Sequence, residues 1–450
     1  MNSFVALLIG ITTGAFVTLL VADSKQNSAV SSLRQTVDQL EKTLRDQSSR
    51  ETELMQKIGT LEAVVVEKSH LLLEEKKARE KMRDYDAEQC GADSAEFVRN
   101  RGVRRPTACP QEEDIIRPWA AARHSREPNH RWTIVDVGVN KGYTMVSLLR
   151  AIGLTHKYSH KQLGRQVFEY ARELSKDPTR RNKIEYRSLC GACCDCLESD
   201  FSDAPFTYSG GFYFLGFDGA PVYIDFLRDR FKSEDGNNFT FKNAALFDKE
   251  GEAISFPDAL FGEEMNGINV NHNRRAVVQL TSTTIDREVE HLPYIDILIT
   301  DMEGHDLIGA RGARAVLESK RVGFYLFELH TKKTVGITRH TDPHELSLES
   351  HVQWLSSLGY QCYLLFDAHR RTRLVNITYP TCWMAQFNSI RGWANAFCVN
   401  ADEPELIEAV RRISTGDIRC GDGGTGRENC RHKVLKLLSR TGFGDIARRV

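Results

Sequence analysis

The stretch Trp132–Leu149, WTIVDVGVNKGYTMVSLL, decides how this chain is read. WTIVDVG has the β-branched, apolar character of a central strand in a parallel sheet, and YTMVSLLRAIG has the apolar spacing of a helix. Between them the chain breaks at Asp136-x-Gly138-x-Asn140-x-Gly142. Glycines there give freedom for a tight turn and let a ligand lie against the loop backbone, leaving the strand-end carboxylate of Asp136 to a polar group. One such unit suits a dinucleotide equally well, so its neighbours must discriminate.

A second strand, in GGFYFLGFDGAPVYIDFL, ends in an acid at Asp218. In a nucleoside-binding α/β sheet a carboxylate at that tip accepts hydrogen bonds from ribose hydroxyls. A third, in FTFKNAALFDKEGEAISF, runs into Asn243-Ala244-Ala245-Leu246, where small residues leave room for a flat base against the backbone. A fourth, in YIDILITDMEGHDLIGARGARAVL, is followed by Asp301, Glu303, Gly304 and Asp306 at the opening of a helix. Strand, loop and helix repeat in order, which predicts a doubly wound α/β sheet.

The chain has 450 residues, too many for one ordinary core, and its net charge of -1 gives no signal for a polyanion partner such as nucleic acid. Phe4–Ala22 is uncharged and apolar, close to the roughly 20 residues that cross a bilayer as a helix. Residues 1–25 therefore read as a cytoplasmic stub and signal anchor, with a cleaved signal peptide as the alternative. Gly10 and Gly14 form a GxxxG pair. Leu33, Val37, Leu40, Leu44, Leu54, Ile58, Leu61, Val65 and Leu72 keep one heptad register, which predicts a coiled-coil stalk over residues 26–88 and, through it, a homodimer. Residues 89–114, with Gly, Pro and like charges, form a linker before the globular part at 115–400, and 401–450 reads as a helical tail.

Four of the 11 cysteines crowd at Cys190, Cys193, Cys194 and Cys196. No second, separate CxxC exists to complete a zinc site, so no metal is expected and disulfides in an oxidising lumen are the favoured reading, zinc the other. Sequons at Asn238 and Asn376 suit the same compartment. Anchor, stalk and cysteines together indicate a type II topology with the globular part in the ER or Golgi lumen.

VDVGVNKGYT, FDGAP, NAAL, TTIDREV and IDILITDMEGHDLIGARGARAVLESKRVGFYLFELH resemble, in order, the signature of the FkbM family of S-adenosylmethionine-dependent methyltransferases. LSSLGYQCYLL and GWANAFCVN look like its final strands. The resemblance covers roughly Trp132 to Asn400 and implies a Rossmann-like methyltransferase sheet that O-methylates a hydroxyl, often on a sugar or polyketide. By that resemblance Gly138, Asn140 and Gly142 form the loop beside the cofactor, Asp136 faces its ammonium or a loop amide, and Asp218 takes the ribose hydroxyls. Asn243 and Ala244 border the adenine, and Asp301 and Glu303 lie where methyl donor and acceptor meet. Glu303, His305 and His330 are the candidate bases, with Glu328 placed to orient His330. Asp218 stands where glutamate is usual and Val139 where alanine is usual. The long interval between Gly142 and Asp218, with an insertion at about 155–210, reads as an acceptor-recognition or lid element, or as a disulfide-pinned surface loop. A glycan or glycoconjugate is the expected acceptor. The rivals are a sugar-nucleotide glycosyltransferase using an Asp301-Met302-Glu303 metal site and a non-catalytic scaffold with a vestigial methyltransferase fold.

Overall fold

The computed structural model describes residues 113–154, 157–180, 182–191, 196, 206–208, 210–233, 236–263, 277–329, 347–368, 371–380, 382–384, 386–387 and 394–414, with residues 35, 36, 38, 39, 62, 66 and 94. The chain divides into two compact units, Met1–Asp84 and Tyr85–Val450. In the first, Gln35, Thr36, Asp38, Gln39, Glu62 and Val66 are described, all of them helical. The expected membrane span at Phe4–Ala22 and the remainder of the stalk lie outside the described residues. Among the described residues no helix is long and apolar enough to cross a membrane.

The second unit is a mixed α/β fold. Its order is α1 (Glu113–Arg126), β1 (Trp132–Val137), α2 (Tyr143–Ala151), α3 (His160–Lys176), β2 (Phe212–Asp218), α4 (Pro221–Arg230), β3 (Asn238–Asn243), β4 (Ala245–Leu246), β5 (Ala253–Pro257) and β6 (Val277–Thr283). It continues with α5 (Ile285–Glu288), β7 (Ile295–Thr300), α6 (Asp306–Arg311), α7 (Arg314–Glu318), β8 (Val322–Leu329), α8 (Leu348–Ser357), β9 (Tyr360–Ala368), β10 (Arg371–Asn376), β11 (Ala394–Asn400) and α9 (Pro404–Ser414). α1 begins just ahead of the boundary expected at residue 115, and α9 is the described part of the expected tail.

The main sheet has eight strands in the order β10-β9-β11-β8-β7-β1-β2-β3. From β8 to β3 every pairing is parallel. β11 runs antiparallel to β8 and β9, and β9 to β10. The sequence reading of repeated strand-loop-helix units therefore holds for the parallel half; the antiparallel half and a small separate sheet, β4-β6-β5, are additions to it.

Both faces of the sheet are covered. Alternate residues of β1, Trp132 and Ile134 on one side and Val135 and Val137 on the other, enter different cores, as the period of two requires. The first core is completed by α1, α2, α3, α4 and α9, for example Trp119, Met145, Val167, Ile224 and Val410. The second is completed by α5, α6, α7 and α8, for example Ile285, Ile308, Val316 and Val352. The helices after β1 and β2 thus lie on one face and the helices after β7 on the other. The strand order reverses its direction of growth between β1 and β7, and in open α/β sheets ligands bind at the carboxyl ends of the strands at such a switch point.

Disulfides brace the unit. Cys362 and Cys398, directly paired on β9 and β11, are joined, as are Cys190 and Cys196 in the insertion. Two of the four crowded cysteines are thereby in a disulfide and so are not zinc ligands in this state.

Candidate functional site

The loops after β1 and β7 meet at the switch point. Gly138, Gly142 and Gly304 hold φ of 96°, 84° and 98°, and two non-glycine residues, Asn140 at 48° and Glu303 at 55°, share the left-handed region. That conformation is uncommon for a glutamate and concentrates at sites where the surroundings enforce it. The loops touch through backbone: the amide of Asp301 donates to the carbonyl of Val137 at 2.8 Å, and the space where Gly138 would carry a side chain is filled by the Asp301 carbonyl.

Four carboxylates lie on one sheet face at this edge. Asp136 follows Trp132 and Ile134 by the strand period, Asp218 follows Phe212 and Phe214, and Glu328 follows Phe324 and Leu326, all core residues of the first face. Asp301, two beyond Ile299, extends the same row. Asp136 is 2% exposed, and its Oδ2 has no hydrogen-bond partner among the described residues. Burial, then the nearby Asp218 carboxylate, push its pKa up to about 7. Asp218 is buried too and raised to about 6, although amides of Ala220 and Asn140 and the Lys141 ammonium pull the other way.

Asp218 proves more structural than the sequence suggested. Its Oδ1 accepts from the Ala220 amide at 2.7 Å and its Oδ2 from the Asn140 amide at 3.0 Å, so the carboxylate stitches the glycine loop to its own strand end. Each oxygen keeps a second lone pair, which is what a ribose hydroxyl would need. Asn243 and Ala244 close around the same strand end, the Asn243 side chain and the Ala244 amide both donating to the Asp218 carbonyl. Asn140 is fixed in turn, Nδ2 donating to the Glu263 carbonyl. Lys141, which sequence reasoning passed over, is 1% exposed and donates to Asn140 Oδ1 at 3.1 Å. A lysine inside a glycine loop between two acidic strand ends was the available signal.

On the β7 side, Asp301, Glu303 and Glu328 each offer a carboxylate oxygen, all within 4.8 Å of one another. Asp301 keeps a solvent-exposed surface, yet protein packed around its carboxyl raises its pKa well above the usual range, with Glu328, Glu303 and Asp136 adding repulsion. A hydrogen bond between the Asp301 and Glu328 side chains raises it further. Chemically this cluster can hold a proton, a divalent cation or an organic cation. No metal was expected from the sequence; the Asp301-Met302-Glu303 triplet was weighed only for the rival glycosyltransferase, and Glu328, from a second strand, was not part of it.

Asp306 organises the cluster without facing outward. It is 1% exposed and accepts from the amides of Met302 at 3.2 Å, Gly304 at 3.3 Å and Glu328 at 3.3 Å. It thereby ties the β7 loop to the end of β8 and spans the left-handed Glu303. His305 is 2% exposed, at the N-cap of α6 beside the Phe247 ring. Among the candidate bases, Glu303 thus stands within the carboxylate cluster and His305 is packed inside, while His330 lies outside the described residues.

Comparison with models of protein families finds no match to this chain, and no curated protein matches it.

Proposed function

We propose that the Tyr85–Val450 unit is an S-adenosylmethionine-dependent O-methyltransferase acting on a hydroxyl of a glycan or glycoconjugate in the secretory lumen. The observation that carries this reading is the buried, unpartnered Oδ2 of Asp136 beside a left-handed glycine loop at the switch point of a parallel sheet. A buried carboxylate with a free oxygen is costly unless a donor or cation meets it, and an amino-acid ammonium is such a group. The residues present therefore fit the cofactor that the family resemblance implies. Asp136 would take its ammonium, the Gly138–Gly142 backbone its amino-acid and ribose parts, Asp218 the ribose hydroxyls through its remaining lone pairs, and Asn243 with Ala244 the adenine edge. When bound, the cofactor supplies an electrophilic methyl group.

The chain's own contribution is positioning and proton removal. Methyl transfer to an alcohol gains most from in-line placement, and the acceptor hydroxyl must lose its proton. Glu303 is the base we favour: its carboxylate shares the cluster with Asp301 and Glu328 on the loop where methyl donor and acceptor would meet. His305, buried at its helix cap, serves the packing of the loop. Membrane anchoring through Phe4–Ala22, the stalk and homodimer contact belong to the same proposal, and the disulfides support the oxidising compartment it requires.

One observation favours a second reading. The close approach of Asp301, Glu303 and Glu328 is what a sugar-nucleotide glycosyltransferase would use for a divalent cation. Isothermal titration of the full chain separates the two. The methyltransferase predicts binding of S-adenosylmethionine and S-adenosylhomocysteine without metal, abolished by Asp136→Asn and weakened by Asp218→Ala. Binding of a UDP-sugar only with manganese, lost in Glu328→Gln, would replace our proposal with the second reading. A folded chain that binds neither would leave the scaffold.

A further inference from the structure

We propose that Asn238 is a site of N-linked glycosylation and that Asn376 is not. Both head an Asn-x-Thr triplet, Asn238-Phe239-Thr240 and Asn376-Ile377-Thr378, which the sequence alone cannot rank. The structure separates them. Asn238 is exposed, the first residue of β3, and its side chain makes no hydrogen bond among the described residues. Gly236, two positions earlier at φ 80°, opens on free space: a Cβ there would meet nothing within 4 Å. The Asn238 side chain is thus presented to solvent, where a large polar substituent can be attached.

Asn376 is the opposite case. It is 8% exposed, its Oδ1 accepts from the Thr378 amide at 2.9 Å, and Thr378 is equally buried. The Thr378 hydroxyl is committed to β9, accepting from the Cys362 amide at 2.6 Å and donating to the Cys362 carbonyl at 3.1 Å. A glycan on Asn376 would have to break this turn beside the Cys362–Cys398 disulfide, where Cys362, Val375 and Ile377 are fully packed.

The disulfides point to the compartment independently of the N-terminal segment. Cys190–Cys196, Cys362–Cys398 and a further disulfide at Cys382 belong to oxidising environments, where the glycan donor is also found. The modification needs a lipid-linked diphospho-oligosaccharide as co-substrate. A bond forms between Asn238 Nδ2 and the anomeric carbon of its first sugar. The anomeric carbon–oxygen bond breaks, the lipid diphosphate departs, and Nδ2 gives up one proton, with no change of oxidation state.

The position also suggests a use. β3 is the last strand of the main sheet, an edge that could pair with another chain. Side chains already occupy part of it: Ser233 Oγ bonds both the amide and the carbonyl of Phe239, and the Arg228 guanidinium donates twice to the Phe241 carbonyl. A glycan on Asn238 would cover the beginning of the strand, beside the Ser233 contact.

The test is expression of the full chain in a eukaryotic secretory system, with digestion by peptide-N-glycosidase and mass spectrometry of the peptide containing Asn238 after release in heavy-oxygen water. The expected result is one downward mobility step on digestion and heavy-oxygen aspartate at 238. Asn238→Gln and Thr240→Val should each abolish the step. Thr240→Ser, which preserves the acceptor triplet, should retain it, and Asn376→Gln should leave it unchanged. The idea is overturned by a wild-type chain with no glycan, whether it remains in the cytosol or resides in the lumen with its disulfides formed. A glycan that maps to Asn376 overturns it too. None of these readouts involves cofactor binding, so this inference and the methyltransferase proposal fail separately.

Discussion

Gly138→Ala is the substitution that most directly tests the meeting of the two loops. Two costs are added at one atom. Residue 138 has φ of 96°, and an L-residue in left-handed backbone costs about 1–2 kcal/mol. The new Cβ would also lie 2.9 Å from the Asp301 carbonyl carbon and closer still to its oxygen. Backbone cannot rotate aside as a flexible side chain does, and forcing extra volume into a packed position costs a further ~1–3 kcal/mol. Gly236→Ala provides the internal control, since it has φ of 80° and open space around the added methyl. It should carry the conformational cost alone, and the loss of chain entropy in the unfolded state is common to both variants and cancels. Urea denaturation should therefore find Gly138→Ala less stable than Gly236→Ala by about 1–3 kcal/mol, the packing contribution. Titration with S-adenosylmethionine should show binding retained in the second and lost in the first, whose Asp301 loop has been pushed away. Equal stability of the two variants would refute the loop contact at the centre of the proposed site.

Four further outcomes follow from the carboxylates and the disulfides. Asp136, raised to about 7, and Asp218, raised to about 6, favour the fold most at a pH below the ordinary aspartate range, and that contribution is lost as pH rises through 6 to 7. Asp136→Asn should accordingly stabilise the unliganded protein at pH 8, by up to about 4 kcal/mol, and change it little at pH 4, as measured by denaturation at both pH values. Wild-type affinity for the cationic cofactor should strengthen across that same window, because binding requires ionised carboxylates; a calorimetric profile flat from pH 5 to 8 would remove Asp136 from the site. Asp306→Ala should cost about 2–3 kcal/mol by stranding the amides of Met302, Gly304 and Glu328, and Asp306→Asn, which keeps an acceptor, clearly less. Replacing both Cys362 and Cys398 by alanine, a sequence separation of 36, should cost about 4 kcal/mol, against about 2 for Cys190 and Cys196 with a separation of 6. A reversed order would indicate that residual structure in the reduced chain governs the difference.

How much of this was legible beforehand follows from what a strand writes into sequence. β1, β2 and β7 are nearly continuous apolar runs ending in an acid or a glycine, so their existence, their order and the carboxylates at Asp136, Asp218 and Asp301 could be read directly. Asn140 was legible for a related reason: asparagine tolerates left-handed backbone, and a loop needing several such residues in succession selects Gly and Asn. Glu303 gave no such sign, because a left-handed glutamate is enforced by tertiary contacts, here the Asp306 carboxylate held by amides on both sides of it. β9 and β11 resembled ordinary final strands and β10 was not read at all, since direction of pairing is not encoded in a strand's own residues when both faces are buried. The same limit explains the carboxylate cluster. Asp301 and Glu303 are neighbours in sequence and were singled out together, whereas Glu328 joins them only because β8 pairs in parallel with β7 in a register that sets Thr300 opposite Phe327. One further step along both strands puts Asp301 beside Glu328 on the face that also carries Asp136. A shift of one residue in that register would turn Glu328 to the opposite face and dissolve the cluster without altering any strand. The chemistry of the site is thus carried by pairing register and face, and these become visible only once the sheet is assembled.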